Sequence, residues 1–167
     1  MAAVKFRQVE PDDLQRCYEI ETRAYQGDEA ASREKIAKRI YTYPQGFIVA
    51  EVAGVVVGFI NCGACHEVVL SDEDFKELIG HDANGKNVVI MSVVVHPDFQ
   101  RKTYATQLMT EFINRMKKLH MHRIYLICQT HLIDFYKKHG FAYCGESASK
   151  HGGLSWHEMV LDLGEVQ

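Results

Sequence analysis

The stretch 92–106 joins an apolar, strand-like run to the start of a helix, and it holds the residues best suited to binding an anion. The amide groups in the first turn of a helix have no intrahelical partners, and the helix dipole is positive there. Arg101 and Lys102 add positive charge beside these amides. The segment is therefore typical of a diphosphate site, with a solvated basic turn after a buried strand as an equally simple interpretation.

Two of the five cysteines, Cys62 and Cys65, have the spacing of a zinc or redox pair. The chain has no second pair of this kind, and this one lies in an apolar, strand-like run, so we expect no bound metal. The cysteines are odd in number and scattered, which favours a reduced setting inside the cell. We therefore expect a cytoplasmic protein.

Hydrophobic periodicity divides the chain into alternating strands and helices. From Thr103 onward the apolar residues recur at steps of three and four, which predicts one long helix. The run 87–96 is almost continuously apolar, which predicts a strand buried on both faces. The predicted strands are 4–9, 46–51, 55–62, 87–96, 124–128, 141–145 and 154–163. The predicted helices begin at Pro11, 29, 71, 103 and 131, the second of them running to about Tyr41.

This order of elements predicts an α/β chain with a mixed central β-sheet flanked by helices on both sides. The step from strand 87–96 through the long helix to strand 124–128 is a parallel crossover. The remaining neighbours are joined as antiparallel hairpins. We expect a single domain over 1–167, because the length lies within the usual range for one domain.

Composition excludes several classes of protein. Hydrophobic residues make up 47% and charged residues 25%, as in an ordinary globular domain. The formal net charge of −3 argues against a general nucleic-acid binder, which needs a basic face. No apolar run approaches the roughly 18–20 residues that span a membrane, and the residues after Met1 lack the apolar core of a signal peptide. We therefore expect neither nucleic acid nor membrane as a partner, and no obligate protein partner can be inferred.

Two blocks of the sequence resemble a known superfamily. Val95-His96-Pro97, followed by 100–105, resembles the acyl-CoA-binding signature Gln/Arg-x-x-Gly-x-Gly/Ala of the GNAT N-acetyltransferases. The block 134–141 is similar to the family's Phe-Tyr-x-x-x-Gly-Phe segment. The resemblance implies a GNAT-like acyl-CoA N-acyltransferase fold and transfer of an acetyl group from acetyl-CoA, as co-substrate, to an amine.

A narrower resemblance is to the arylalkylamine (serotonin) N-acetyltransferases, especially their non-vertebrate branch and related fungal polyamine acetyltransferases. It rests on the segments 19–21, 27–32 and 152–159, which lie in the substrate-binding half of that family. It implies that the acceptor is a small primary amine, either an arylalkylamine such as serotonin, tryptamine or dopamine, or a polyamine.

The sequence departs from these families at two places. Thr103 stands where the signature has its first glycine, and a β-branched residue strongly disfavours a positive φ. We therefore expect Thr103 to be helical or to act as an N-cap, which leaves tight cofactor binding in question. The vertebrate enzymes carry two histidines as a proton relay on the central strand, where this chain has Val89 and Met91.

The resemblance also implies roles for individual residues. The backbone amide of Val93 stabilises the negative charge that develops on the acetyl carbonyl, and Val95 holds the pantetheine arm. Tyr136 matches the tyrosine that protonates the leaving thiolate, because a phenol is a proton donor at pH 7. The residues expected to contact acetyl-CoA are Val93, Val94, Val95, Gln100, Arg101, Lys102, Thr103, Tyr104, Ala105, Thr106, Cys128, Gln129 and Thr130.

Three residues are candidates for removing the proton of the acceptor ammonium. Glu29 resembles a glutamate assigned this role in non-vertebrate relatives, although an acid at a helix N-terminus is also favoured by the dipole alone. His66 follows the third strand and is a candidate for the amine pocket beside Tyr136, with an exposed loop as its simpler interpretation. Ser92 lies on the central strand and is able to hold a relay water, or to be an ordinary core serine.

Two other functions stay open at this point. One is acetylation of a protein lysine or N-terminus, which needs an open groove for a peptide. The other is a catalytically weak CoA-binding protein, which the replaced glycine and the missing histidines allow.

Overall fold

The computed structural model describes residues 3–25, 30–68, 78, 81–148 and 155–164. Within these residues the chain forms seven strands and four α-helices. In chain order they are β1 (Val4–Gln8), α1 (Leu14–Ala24), α2 (Arg33–Thr42), β2 (Phe47–Val52), β3 (Val55–Cys65), β4 (Asn87–Val95), α3 (Tyr104–Lys118), β5 (Arg123–Cys128), α4 (Ile133–Lys138), β6 (Ala142–Glu146) and β7 (His157–Asp162).

The seven strands of the described chain form one mixed sheet in the order β1-β2-β3-β4-β5-β7-β6. The crossover from β4 through α3 to β5 is parallel, as predicted, and its ladder joins Asn87–Val89 to Arg123–Tyr125. The strand β4 continues for six residues beyond the last of these pairs. The strand β7 lies between β5 and β6 and is antiparallel to both, an insertion that the sequence did not predict. The predicted fold class, a mixed sheet flanked by helices, is confirmed.

Contacts among the described residues divide the chain into two compact units. Unit 1 comprises residues 1–62 and 92–113, and unit 2 comprises residues 63–91 and 114–167. The core of unit 1 packs α1 and α2 against the sheet, and its buried members include Cys17, Ile20, Ile36, Ile40, Phe47, Phe59 and Val94. Buried apolar residues of unit 2 include Val88, Met116, Ile124, Leu126, Phe141 and Met159. The prediction of a single domain stays a prediction.

Two predicted elements differ from the structure in detail. The second helix begins at Arg33 rather than at 29, because Ser32 takes the N-cap position and its Oγ accepts a hydrogen bond from the backbone N–H of Lys35 at 3.2 Å. The prediction that β4 is buried on both faces is wrong in part, since Val89, Met91 and Val93 are half-buried while the residues between them are buried. The predicted helix 71–80 lies almost entirely outside the described residues.

None of the helices in the described residues is long and apolar enough to cross a membrane.

Candidate active site

The strand β4 presents two different edges. On one edge it adjoins β3, where the N–H of His96 donates to the carbonyl of Val57 at 2.8 Å. Gly58 lies so close to β4 that a Cβ atom there would be 2.7 Å from the carbonyl oxygen of Val94, so only glycine fits this approach. Since successive peptide groups of a strand point to opposite edges, the N–H and C=O groups of Val93 and Val95 point away from β3.

Side chains, rather than strand neighbours, bind the two carbonyl groups on this second edge. The hydroxyl of Tyr25 donates to the carbonyl of Val93 at 3.2 Å. The side-chain amide of Gln100 donates to the carbonyl of Val95 at 3.1 Å. The backbone N–H groups of Val93 and Val95 lie on the same edge as these two occupied carbonyls. This segment of β4 is therefore well arranged to donate hydrogen bonds to carbonyl oxygens of an acyl thioester and of a pantetheine arm.

The loop after β4 is built mainly by local contacts, and Nε2 of His96 also lies 3.4 Å from the guanidinium of Arg23. A 3-10 turn covers Pro97–Phe99, and the backbone N–H of Asp98 donates to Nδ1 of the buried His96 at 3.1 Å. The ring of Phe99 packs edge-on against that of His96 and also adjoins the ring of Tyr104, at the start of α3. These contacts fix the direction in which the chain enters the helix.

The backbone of Thr103 corrects the sequence prediction. Its φ is 67°, in the left-handed region that glycine favours, and Arg101 has a φ of 64°. Thr103 thus keeps the conformation of the signature glycine that it replaces, instead of becoming helical, and its hydroxyl accepts a hydrogen bond from the side-chain amide of Gln107 at 3.0 Å. For a β-branched residue this conformation costs about 1–3 kcal/mol. Such strain persists only where the surrounding structure imposes it, which makes this loop a candidate for a functional role.

The first turn of α3 provides the backbone donors of an anion site. The first backbone hydrogen bond of the helix runs from the N–H of Gln107 to the carbonyl of Thr103. The N–H groups of Tyr104, Ala105 and Thr106 precede it, so they have no carbonyl one turn earlier to bind. Arg101 and Lys102 are exposed at the same end of the helix. Together with the left-handed residues, these amides form a concave array of donors that suits a diphosphate.

A buried polar cluster lies on the face of the sheet that packs against α1 and α2. Its members are Glu21, Arg39 and Ser92, whose exposed fractions are 1%, 3% and 6%. The guanidinium of Arg39 donates to Oγ of Ser92 at 3.3 Å, and a carboxylate oxygen of Glu21 accepts the N–H of Ala31 at 3.0 Å. Burial lowers the pKa of Arg39 to about 10, while the charge of Glu21 opposes that change.

Asn61 of β3 is a further buried polar residue in unit 1. Its exposed fraction is 1%, and among the described residues neither the nitrogen nor the oxygen of its amide has a hydrogen-bond partner.

Sequence reasoning did not identify Arg39 or Glu21 as candidate site residues. A signal was present in the helical spacing, since Arg39 falls three residues after Ile36 and one before Ile40, on the buried stripe of α2. Glu21 follows Ile20 and lies four residues after Cys17, on the buried stripe of α1. A charged residue on a buried stripe must be paired, and it is therefore a candidate for a specific role.

In unit 2, the predicted acid Tyr136 lies on α4 and is 6% exposed. Its ring packs edge-on against those of Phe135 and Phe141, with ring centroids 5.1 and 5.6 Å away. These contacts fix the ring, as a precisely aimed phenol requires. Its role as a proton donor stays a prediction.

The predicted acetyl-CoA contacts at the end of β5 also belong to unit 2. Cys128 is buried, its thiol lies 3.7 Å from the sulfur of Met159, and burial raises its pKa to about 11, so the residue is a neutral thiol. Gln129 is half-buried, and the exposed Thr130 shares a hydrogen bond of 2.9 Å with Nε2 of His157. The other ring nitrogen of His157 lies 2.9 Å from the hydroxyl of Tyr143, a hydroxyl–imidazole–hydroxyl chain that sequence reasoning did not predict.

Two candidates for the base, Glu29 and His66, lie outside the buried part of unit 1 that the structure describes. Glu29 lies outside the described residues, so its role stays a prediction. His66 is exposed and its Nε2 lies 3.0 Å from a carboxylate oxygen of Asp82, while its backbone carbonyl accepts a hydrogen bond from Asn87. These contacts belong to an exposed loop in unit 2, and the proposed place of His66 in an amine pocket stays a prediction.

The cysteine pair 62 and 65 is buried, and burial raises the pKa of both thiols. Over the described parts of the chain, no group of three or more His, Cys, Asp or Glu side chains could hold a metal ion.

Comparisons with known proteins point to one family. A family model described as "Acetyltransferase (GNAT) family" matches residues 14–141. An uncharacterized N-acetyltransferase, ycf52, of Pyropia yezoensis is 34% identical over 100 residues, which cover 58% of this chain and 58% of that protein. The match therefore spans little more than half of that relative's length.

Solved structures resemble the whole fold at low identity. The loading GNATL domain of CurA from Lyngbya majuscula matches with a TM-score of 0.85 and 16% identity, over 96% of this chain and 98% of that one. The protein yncA of Salmonella typhimurium, solved with its cofactor acetyl-CoA, matches with a TM-score of 0.70 and 20% identity, over 98% and 96% of the two chains. At these identities the resemblance shows the fold.

Proposed function

The chain belongs to the acetyltransferase (GNAT) family, and from this we propose that it transfers the acetyl group of acetyl-CoA to the nitrogen of a small primary amine. We propose an arylalkylamine or a polyamine as the acceptor, and direct transfer between the two bound substrates. The observation that carries the proposal is the path from the β4 edge into the strained loop and the first turn of α3. It offers donors for a carbonyl, an amide and a diphosphate in the order in which acetyl-CoA carries those groups.

The loop would hold the diphosphate of acetyl-CoA mainly through backbone amides. The left-handed residues Arg101 and Thr103 support this assignment, because a positive φ next to the first turn of a helix turns successive backbone N–H groups toward one point. Gln100 contributes indirectly, since its amide binds the carbonyl of Val95 and so fixes where the loop begins. Arg101 and Lys102 would add charge attraction from the solvent side.

The N–H of Val93 would stabilise the negative charge that forms on the acetyl oxygen as the amine attacks. A fixed backbone donor is suited to this task, because it needs no reorganisation when the charge develops. Val95 would bind the pantetheine arm from the same edge, with Val94 between them facing the core of unit 1. Cys128, Gln129 and Thr130 remain the proposed contacts of acetyl-CoA at the end of β5.

Proton transfer requires a base for the ammonium and an acid for the thiolate. We propose Glu29 as the base, either directly or through a water held by Ser92. The hydroxyl oxygen of Ser92 accepts a hydrogen bond from Arg39, so its own proton is directed elsewhere and can orient such a water. We propose Tyr136 as the acid, whose phenol proton passes to the sulfur of coenzyme A as it leaves.

The test is thiol release from acetyl-CoA against a panel of tryptamine, serotonin, dopamine, phenethylamine, spermidine, putrescine and a lysine peptide. We expect saturable turnover with one group of small amines. Turnover with the lysine peptide alone would replace the proposed acceptor with a protein. No turnover at all, with coenzyme A still raising the melting temperature, would reject these acceptors and leave either an unusual acceptor or a CoA-binding protein without turnover.

Tyr136→Phe tests the acid within the same assay. We expect kcat to fall about 100-fold, within the range typical of a lost acid–base group, with the affinity for acetyl-CoA unchanged within twofold. Phe135→Leu, next to it on α4, serves as a packing control. A large loss of acetyl-CoA affinity in Tyr136→Phe, with kcat preserved, would instead assign Tyr136 to cofactor binding.

A further inference from the structure

The phenol of Tyr25 occupies a position on β4 that a neighbouring strand would ordinarily fill. Its oxygen lies 3.2 Å from the carbonyl oxygen of Val93, on the edge that points away from β3. Val93 is also the residue whose N–H is proposed to bind the acetyl oxygen. The phenol therefore lies beside the atoms at which the acetyl group would be transferred.

Resting on the proposed transferase activity, we propose that Tyr25 binds the acceptor, with its phenol oxygen accepting a hydrogen bond from the acceptor nitrogen. A phenol has one proton to donate and two lone pairs with which to accept. The proton is used on the carbonyl of Val93, which turns the lone pairs away from the strand. A nitrogen bound there approaches the Val93 edge, where its own lone pair is directed at the acetyl carbon.

The protein holds Tyr25 firmly enough for this role. Tyr25 is the C-cap residue of α1, and its backbone N–H donates to the carbonyl of Glu21 at 3.0 Å. Its ring packs against the apolar core of unit 1. With the backbone, the ring and the hydroxyl each fixed, the phenol oxygen has a defined position relative to Val93.

The buried cluster supports the strand that the phenol contacts. Arg39 donates a hydrogen bond to Oγ of Ser92, the residue before Val93, so the position of Val93 depends on the cluster as well as on Tyr25. One lone pair of the phenol suffices for the acceptor, whatever else the oxygen contacts.

A comparison of Tyr25 with Gln100 distinguishes an acceptor-binding role of Tyr25 from a purely structural role. Both side chains donate to carbonyls on the same edge of β4, at Val93 and at Val95. If Tyr25 only held the strand, its loss would disturb acetyl-CoA binding, as we expect for the loss of Gln100. If Tyr25 binds the acceptor, its loss affects the amine and spares acetyl-CoA.

The test compares Tyr25→Phe with the wild-type protein by calorimetry, with each amine of the panel titrated into protein saturated with coenzyme A. We expect the Kd of the amine to rise about tenfold, and the Kd of acetyl-CoA, measured separately, to stay within twofold. Tyr18→Phe, on the same helix and packed against the same core, is the matched control and should change neither value. The melting temperature of each variant verifies that it is folded.

Three outcomes overturn the inference. One is an unchanged amine Kd in a folded Tyr25→Phe, and another is an acetyl-CoA Kd that rises as much as the amine Kd. The third is a wild-type protein that binds none of the amines, which also overturns the proposed acceptor. A wild-type protein that binds an amine but does not turn it over rejects the transferase alone, and the comparison of amine Kd values still decides the role of Tyr25.

Discussion

The loop 96–103 and the buried cluster of Glu21, Arg39 and Ser92 both adjoin β4, yet they are held in place by opposite kinds of contact. Most side-chain hydrogen bonds of the loop join residues two to five positions apart, such as Gln100 and Val95, and its long-range contact is that of His96 with Arg23 at 3.4 Å. Those of the cluster reach across the sequence, with Arg39 and Ser92 separated by 53 positions. Beyond the buried His96 the loop is largely exposed, and two of its residues have a positive φ, whereas the cluster is almost inaccessible to solvent.

This difference in contacts indicates which ligand each region is suited to position. A locally built loop keeps its shape wherever its short sequence is kept, so it suits a ligand that is the same across a family, such as acetyl-CoA. A cluster assembled from α1, α2 and β4 changes whenever one of those elements changes, so it suits the ligand that differs among relatives. On this basis we expect variants of the cluster to affect the stability and the acceptor, and variants of the loop to affect acetyl-CoA.

The largest effect should come from Arg39→Met, which removes the cation of the cluster and leaves the buried carboxylate of Glu21 without it. Breaking a buried pair in this way costs about 3–5 kcal/mol. Denaturant unfolding should show this loss, whereas Lys38→Met, at the exposed neighbouring position, should stay within about 0.5 kcal/mol of the wild type. An Arg39→Met protein as stable as the wild type would mean that the cluster does not hold α2 to β4.

Asn61→Leu examines another buried polar residue of unit 1. A buried amide without hydrogen bonds costs about 1–3 kcal/mol, and an apolar residue of similar size does not bear that cost. We expect the free energy of unfolding to rise by about 1 kcal/mol. Asn61→Asp should lower it, because a charge would be buried there. If Asn61→Leu is less stable than the wild type, the amide is hydrogen-bonded in solution.

Thr103→Gly makes the corresponding test in the loop. Glycine adopts the observed φ of 67° without strain, but it loses the contact with Gln107 and makes the unfolded chain more flexible. The net gain should be about 1 kcal/mol, or a rise in melting temperature of about 2–4 °C. Ala53→Gly, at a left-handed turn position with a φ of 51°, should stabilise in a similar way.

The two glycine variants differ in what they do to acetyl-CoA. We expect Thr103→Gly to preserve or tighten binding, since the loop keeps its shape, and Ala53→Gly to leave it unchanged. Weaker binding in Thr103→Gly would show that the threonine hydroxyl contributes to the site directly.

Much of the fold could be predicted because it depends on patterns within single elements. The steps of three and four along α3 and the apolar run of β4 are both readable in order along the chain. The insertion of β7 between β5 and β6 was not predictable, because an edge position is decided by packing between distant strands. The boundary of α2 was placed too early because the capping hydroxyl of Ser32 outweighs the charged residues before it.

The residues of the candidate site also differ in how far they could be predicted from the sequence. The loop residues Gln100–Thr106 were identified from sequence, since the motif is contiguous. The conformation of Thr103 was predicted wrongly because local steric preference was given more weight than the fold, which imposes a glycine-like backbone there. The contacts of Arg39 and Tyr25 with β4 join residues 53 and 68 positions apart, and no local pattern specifies such a pair.

The smallest expected effect belongs to Arg101→Ala. Backbone amides would carry most of the contact with the diphosphate, and the exposed side chain adds only a screened attraction. We expect the Kd of coenzyme A to rise about threefold at low salt, with the difference shrinking as salt is added. Lys118→Ala, at the far end of α3, should leave the Kd unchanged. A rise of 100-fold would mean that the side chain binds phosphate directly and that the loop depends on charge more than on its backbone. The contrast between a locally built cofactor site and a globally built acceptor site would then rest on the cluster alone.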